Sequence, residues 1–111
     1  MKLIDNANTR LLTKALDVYQ LRQKATALNV ANLDTPGYKR IEIHFEDKLR
    51  EAMEDHRDEI PDPEMVQTGE APVIEDEMME MTDTQIRVQL VTKALRHKIQ
   101  LIKTGINGIN R

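Results

Sequence analysis

The histidines and acidic side chains are the residues of this chain best suited to metal or acid–base chemistry. His44 and Glu46 lie two positions apart, so in an extended segment they would share one face and could hold a metal ion. His56 follows two acidic residues, and His97 lies alone in a helical pattern. None of these spacings matches a zinc or iron motif, and the acidic run lacks the EF-hand arrangement. We interpret these side chains as solvated and expect no bound metal or cofactor.

Nucleophilic catalysis has few candidates. The chain contains neither Ser nor Cys, which leaves Thr and Lys as the remaining common nucleophiles. Without Cys, disulfides and thiolate metal sites are also excluded. We therefore expect a protein that is not an enzyme and has no small-molecule substrate.

A long helix is predicted over residues 6–33, with Asn6 or Asn8 as its N-cap and a body rich in Leu, Ala, Gln, Lys and Arg. A seven-residue register aligns apolar side chains as in a coiled-coil seam. The stripe comprises Leu11, Val18, Leu21, Ala25 and Leu28. Other apolar residues lie off this stripe, so the helix should pack against more than one neighbour.

A second long helix is predicted over residues 82–111, where Thr82 and Gln85 have the spacing of a capping box. Its apolar stripe comprises Val88, Val91, Leu95, Ile99 and Ile102, with Ile109 continuing the seven-residue repeat. Ile86, Leu90 and Leu101 lie away from this stripe. This helix too should therefore have more than one apolar face.

A sharp turn should separate the first helix from the middle of the chain. Pro36 disfavours helical geometry at Thr35, which ends the helix by about Asp34. Pro followed by Gly suits the centre of a type II turn, where Gly37 takes a positive φ without a Cβ clash. We predict that Gly37→Val opposes this conformation and weakens assembly.

The middle of the chain begins with an extended pattern and then loses regular signals. Ile41, Ile43 and Phe45 alternate with polar residues, as in a half-buried strand. Residues 46–55 are compatible with a short helix. Residues 56–77 are acidic and interrupted by Pro and Gly, which predicts a mobile loop.

Charge is segregated along the chain behind a formal net charge of −3. Residues 1–41 carry +4, residues 42–81 carry −12 and residues 82–111 carry +5, from counts of Lys, Arg, Asp and Glu. Two basic ends cannot pair through charge, so apolar stripes should hold them together. The acidic middle would repel phosphate, and no base-stacking aromatics accompany the basic residues, so we expect no nucleic-acid partner. No apolar run is long enough to predict a membrane span.

These patterns predict a mainly α fold in one chain. The N-terminal helix (1–34) and the C-terminal helix (82–111) would pair as a coiled-coil-like hairpin, and residues 35–81 would supply the turn, a short extended segment and an acidic flexible loop. The scarcity of aromatic residues predicts marginal stability without partners. We expect frayed terminal helices in an isolated monomer.

The turn region carries a family resemblance. The residues concerned are Asn29, Ala31, Asn32, Thr35, Pro36, Gly37 and Tyr38, about thirty residues from the start and preceded by a helix. This run resembles the signature of bacterial flagellar basal-body rod proteins. The segment Ile43–Glu46, followed by Leu49, and the short chain are most similar to the proximal-rod type of that family.

The resemblance implies a mechanical role. Such proteins self-assemble and co-assemble with other rod and basal-body proteins through their terminal helices, and form a hollow torque-transmitting shaft. It also implies passage through the type III export apparatus to the periplasmic part of the basal body, consistent with a start that lacks an ordinary signal-peptide pattern. Two alternatives remain open: a neighbouring type of flagellar axial protein, and a non-flagellar helical adaptor or chaperone with a small defined oligomeric state.

Overall fold

The computed structural model describes residues 6–109, except for the side chain of Ile109. The elements in chain order are α1 (Ala7–Ala31), β1 (Ile41–His44), α2 (Glu46–Glu54), β2 (Glu64–Gln67) and α3 (Ile74–Ile109). Residues 1–5 and 110–111 of the two predicted terminal helices lie outside the described residues, as does the predicted apolar contact of Ile109. The molecule extends 65 × 30 × 18 Å. Because the 36 residues of α3 reach about 54 Å, this helix accounts for most of the long dimension.

The predicted helix hairpin is confirmed. Asn6 caps α1 by accepting a 2.8 Å hydrogen bond from the Thr9 backbone N–H, which satisfies one of the amides left free at a helix start. Near the end of α1, Asn29 contacts Glu77 in the first turn of α3. At the other end Asn6 accepts a hydrogen bond from Lys98. The two helices therefore run antiparallel.

The extended segment and the short helix after the turn also form as predicted. β1 leads directly into α2, and α2 ends in a Schellman motif. In this motif the Arg57 N–H bonds to the Ala52 carbonyl over 2.9 Å, and the His56 N–H bonds to the Met53 carbonyl over 3.2 Å. His56 has a φ of 53°, a left-handed conformation that is uncommon outside Gly. His56 therefore occupies the left-handed position of the motif.

The prediction that the acidic residues 56–77 form a loop throughout is wrong. β2 lies within it and pairs antiparallel with β1, so that Ile41 is opposite Gln67 and His44 is opposite Glu64. Arg40 extends this ladder: its N–H bonds to the Glu70 carbonyl, and its carbonyl accepts from the Thr68 N–H, both over 2.8 Å. Backbone pairing thus orders an acidic segment with few apolar residues.

The C-terminal helix begins before the predicted capping box. α3 starts at Ile74, and the Thr82 hydroxyl donates to the Met78 carbonyl over 3.1 Å, as an interior helix residue does. Its first turn carries Glu75, Asp76 and Glu77, whose negative charge favours a helix N-terminus. The boundary predicted at residue 82 is therefore eight residues too late.

The apolar core lies between α1 and the segment that follows the turn. Val18 and Ala25 of α1 pack with Ile43 and Phe45, and all four are buried. The partly buried residues around them are Tyr19, Leu21, Ile41, Leu49 and Ile60. Within the described residues, no helix combines the length and the apolar character needed to cross a bilayer. The core fixes α1 against β1 and α2, and it sets the place where the turn meets α3.

Candidate functional site

The turn after α1 has the geometry predicted from Pro36 and Gly37. The Tyr38 N–H bonds to the Thr35 carbonyl over 3.2 Å, which closes a four-residue turn, and Gly37 has a φ of 76°. Asn32 supports the helix end, because its side-chain amide donates to the Leu28 carbonyl over 2.8 Å. The turn motif therefore ends α1 and sends the chain back along it.

Asn29 is the centre of the contacts made by this turn. Its side chain is fully buried. The amide nitrogen donates to the Ile41 carbonyl at 3.0 Å and to Glu77 Oε2 at 3.2 Å. The amide oxygen accepts from the Ile41 N–H at 2.9 Å and from the Tyr38 hydroxyl at 3.0 Å. All the hydrogen-bonding capacity of this amide is used, so one side chain joins α1, the turn, β1 and α3.

Glu77 and Arg40 complete the same site. Glu77 has no exposed surface, and its Oε1 accepts a 2.7 Å hydrogen bond from Arg40 Nε. The Arg40 guanidinium also pairs with Glu42. A buried carboxylate is costly unless it is paired and hydrogen-bonded, and here both oxygens have partners. We call the side chains of Asn29, Tyr38, Arg40 and Glu77, with the backbone of Ile41, the turn latch.

Electrostatics keep the outer part of the turn latch charged. A hydrogen bond from His44 lowers the pKa of Glu42 below its ordinary value; burial opposes this shift, and Arg40 adds to it. Burial acts to lower the pKa of Arg40, but its bonds to Glu77 and Glu42 outweigh burial and raise that pKa. Arg40 is therefore cationic throughout the physiological range. The buried carboxylate always has a countercharge beside it.

A second ionic contact joins the three helices away from the turn. Arg22 of α1 donates to Glu46 at the start of α2 over 2.5 Å and to the Ile43 carbonyl over 3.0 Å. Arg87 of α3 lies 3.7 Å from the same Glu46 carboxylate. The hydrogen bond from Arg22 lowers the pKa of Glu46, against the opposing effect of burial. Glu46 thus lies between a cation of α1 and a cation of α3.

The predicted stripe of α1 is divided between the core and the surface. Val18 and Ala25 are buried against the extended segment, so their packing is internal to the chain. Leu11 and Leu21 are half-buried, and Leu28 is 48% exposed. A role of this stripe in assembly remains a prediction, and among its members Leu28 presents the most surface for it.

The predicted stripe of α3 lies towards α1 but is covered only in part. Val88, Val91, Leu95 and Ile102 are half-buried, and Ile99 is 42% exposed. The second apolar face is more open, as expected: Ile86, Leu90 and Leu101 are exposed, together with Met78 and Met79. α3 therefore carries apolar surface that the described part of this chain does not cover.

The histidines do not form a ligand cluster. His44 Nε2 lies 2.9 Å from Glu42 Oε2 and belongs to the edge of the turn latch. No group of three or more His, Cys, Asp or Glu side chains in residues 6–109 is arranged to hold a metal ion. The polar residues brought together by the fold instead bind one another.

Sequence reasoning identified Asn29 and Tyr38 through the turn motif, but it missed Arg40 and Glu77. Arg40 follows the motif directly, and Glu77 was assigned to the acidic loop. The helical period could have identified Glu77 as a residue that faces α1. Glu77, Thr84 and Val91 are seven residues apart and therefore lie on the same side of α3. Thr84 is also buried, and its hydroxyl has no hydrogen-bond partner among the described residues.

Comparison with known proteins points to one family. A family model described as "Flagella basal body rod protein" matches residues 10–39, which include most of α1 and the whole turn. The chain is 51% identical over 37 residues to flagellar basal body rod protein FlgB of Borreliella burgdorferi, which is 33% of this chain and 27% of that protein. It is 40% identical over 53 residues to FlgB of Escherichia coli, covering 48% of this chain and 38% of that protein.

A third relative extends the similarity beyond the turn. FlgB of Bacillus subtilis is 26% identical over 117 aligned residues, which cover 87% of this chain and 91% of that protein. By contrast, the chain spans only about a quarter to two fifths of the Borreliella and Escherichia proteins it matches. The residues matched by the family model, 10–39, include Asn29 and Tyr38 of the turn latch.

Proposed function

We propose, from the premise that the chain belongs to the flagellar basal body rod family, that it is a structural component of the proximal rod of the bacterial flagellum. One observation carries the proposal: the residues matched by the family form α1 and the turn, and that turn is joined to α3 by the turn latch. The motif thus has a structural purpose in this chain. It holds the two long helices as one unit.

A rigid helix pair with uncovered apolar surface suits a subunit of a shaft. Contiguous exposed apolar surface marks an interface, and identical subunits joined head-to-tail form rings or open helical arrays according to the rotation between them. In our proposal the chain self-assembles and co-assembles with other rod proteins through α1 and α3, encloses the export channel and transmits torque. No catalytic step is assigned to it.

The proposed location follows from the same premise. The chain would leave the cytoplasm through the flagellar type III export apparatus and take its place in the periplasmic part of the basal body. Its partners would be further copies of itself and other rod and basal-body proteins. The relatives named above support this assignment through their description as basal body rod proteins.

Fractionation tests the proposal directly. We expect a tagged chain to copurify with intact basal bodies from motile cells, and deletion of its gene to abolish both motility and rod formation. Sizing of the purified chain over a concentration series, with and without other rod proteins, provides the second measurement. Absence from basal bodies, together with a small oligomer of fixed size, would instead identify a helical adaptor or chaperone.

A further inference from the structure

Charge divides α3 into two parts. All its acidic side chains lie in residues 74–83, and all its Lys and Arg side chains lie in residues 84–109. The acidic set is Glu75, Asp76, Glu77, Glu80 and Asp83, and the basic set is Arg87, Lys93, Arg96, Lys98 and Lys103. The helix dipole favours this order, but its effect fades within the first and last turns. It does not account for cations in the middle of the helix.

The face of α3 opposite α1 carries apolar side chains in both parts. With 3.6 residues per turn, Met79, Ile86, Leu90 and Leu101 lie on the side away from the latch residue Glu77. These four are between 52% and 71% exposed. Glu75 and Asp76 lie near the beginning of this outer face. Lys93 and Arg96 flank its later part. All four side chains are exposed.

The acidic part of the outer face also has a shallow hollow. Its walls are formed by Met78, Met79, Thr82, Asp83 and Ile86. The flexible thioethers of methionine adapt to irregular partner surfaces. A hollow of this kind can receive a branched apolar side chain such as those at Leu90 and Leu101, which project from the basic part of the same face.

We propose that the outer face of α3 binds the outer face of α3 in a second copy of this chain, with the two helices parallel and staggered. The stagger, about 19 residues or about 28 Å, lays Lys93 and Arg96 of one copy over Glu75 and Asp76 of the next. This inference rests on the proposed function and specifies one contact within it. Opposite charges set the register of the contact, and the apolar side chains between them supply burial.

The staggered arrangement has a geometric consequence. Each copy uses its acidic part for one neighbour and leaves its basic part free for another. The third copy is displaced from the first by about 57 Å, slightly more than the ~54 Å length of α3, so addition can continue. An antiparallel pairing of the same faces would also match the charges, but it is two-fold symmetric and stops at a dimer. Growth beyond a dimer therefore distinguishes the two arrangements.

Charge reversal in the full chain tests this contact. One variant carries Glu75→Lys with Asp76→Lys, and the other carries Lys93→Glu with Arg96→Glu. Sedimentation velocity at low salt should show that the mass of the wild-type chain increases with concentration beyond a dimer. Each variant alone should remain monomeric, because its two parts then have the same sign. An equimolar mixture should regain association. The variant with Lys at positions 75 and 76 then supplies basic faces, and the variant with Glu at positions 93 and 96 supplies acidic faces.

Matched controls keep the result specific. Lys24→Glu with Lys39→Glu makes the same charge change at exposed positions away from α3, and it should associate like the wild type. Circular dichroism of each variant checks that the helices persist, and a variant that had merely unfolded would not regain association on mixing. High salt should weaken the wild-type contact at least tenfold.

Several results would overturn the inference: wild type that stays monomeric or stops at a dimer, either variant associating normally by itself, or a mixture that does not recover. The rod proposal is tested separately by basal-body fractionation. Variants that enter basal bodies as efficiently as the wild type would overturn the α3 contact alone. Absence of the wild-type chain from basal bodies would overturn the rod proposal whatever the sedimentation result.

Discussion

The two ends of the α1–α3 pair are held together in different ways. At the turn, Asn29 and Glu77 are fully buried and every polar atom of the Asn29 amide is hydrogen-bonded. At the other end the contact between Lys98 and Asn6 is exposed, and α3 continues from there to Ile109 past the described start of α1. Within the described residues, the turn end is therefore fixed by buried polar contacts. The far end is joined by an exposed polar contact.

This difference separates two tasks within one small chain. Buried polar groups fix one alignment of the helices, because a shifted alignment would leave a carboxylate or an amide without partners. Half-buried aliphatic side chains tolerate changes of partner, since apolar contacts are not directional. We infer that the turn end defines the subunit and that the far end remains adaptable. The following predictions test this division, beginning with the largest expected effect.

Removing the countercharge of the turn latch should cause the largest loss of stability. Arg40→Met leaves Glu77 buried without its ionic partner, which should lower the free energy of unfolding by about 3–5 kcal/mol. Arg50→Met removes an exposed ion pair with Asp47 and should cost less than about 0.5 kcal/mol. Urea unfolding at neutral pH measures both. Equal losses in the two variants would show that the turn end is not specially stabilised.

Changing the turn backbone should have an intermediate effect. A Cβ at Gly37 or at Gly69 would meet no heavy atom within 4 Å, but only Gly37 of the two has a positive φ. Gly37→Val should therefore cost about 1–2 kcal/mol through backbone strain, and Gly69→Val should cost much less. Thermal unfolding of both variants measures the cost of backbone strain at Gly37, because Gly69→Val introduces the same side chain without a positive φ. Motility and rod formation that are unchanged in Gly37→Val would contradict its predicted weakening of assembly.

Lowering the pH should weaken the contact between the helices at Glu46. Its pKa is below the reference value of 4.5 in the folded chain, chiefly because Arg22 donates a hydrogen bond to it. The stabilisation is therefore complete above about pH 4.5 and is lost as the pH falls through the lower folded-state pKa. The effect should be less than about 1 kcal/mol, since the carboxylate is nearly half exposed.

The measurement is the difference in unfolding free energy between the wild type and Glu46→Gln from pH 7 to pH 3. Other acidic groups titrate in both proteins, so the difference reports mainly on Glu46. We expect it to shrink as the pH falls. A constant difference across this range would rule out the ionic contribution.

Removing the contact at the far end should have the smallest effect. Lys98→Met breaks the 2.9 Å hydrogen bond to Asn6 and should change stability by less than about 0.5 kcal/mol, as should the control Lys103→Met. Hydrogen exchange in dilute monomer should show strong protection near Asn29 and Glu77 that declines towards residues 99–109. Uniform protection along both helices would contradict the difference between the two ends.

The elements encoded by local sequence were predictable from the chain. The N-cap at Asn6, the turn at Pro36 and Gly37, and the short strand and helix after it follow from residues close to one another. β2 was missed because Glu64–Gln67 has little strand character by itself and is ordered by pairing with β1. Tertiary context outweighed composition there.

The start of α3 and half of the turn latch were missed for related reasons. Thr82 and Gln85 imitate a capping box inside the helix, whereas the true start is indicated only by three consecutive acidic residues after Val73. The role of Glu77 depends on Asn29, 48 positions earlier, and no local pattern connects the two. The turn motif thus predicted where the chain reverses, but not what it binds there.

The 48-residue separation between Asn29 and Glu77 also determines when the subunit can acquire its shape. A chain synthesised from its N-terminus contains α1 and the turn before the acidic turn of α3 is made. Until then the amide of Asn29 lacks one of its hydrogen-bond partners. The turn latch can therefore form only after about two thirds of the polypeptide, up to Glu77, is present.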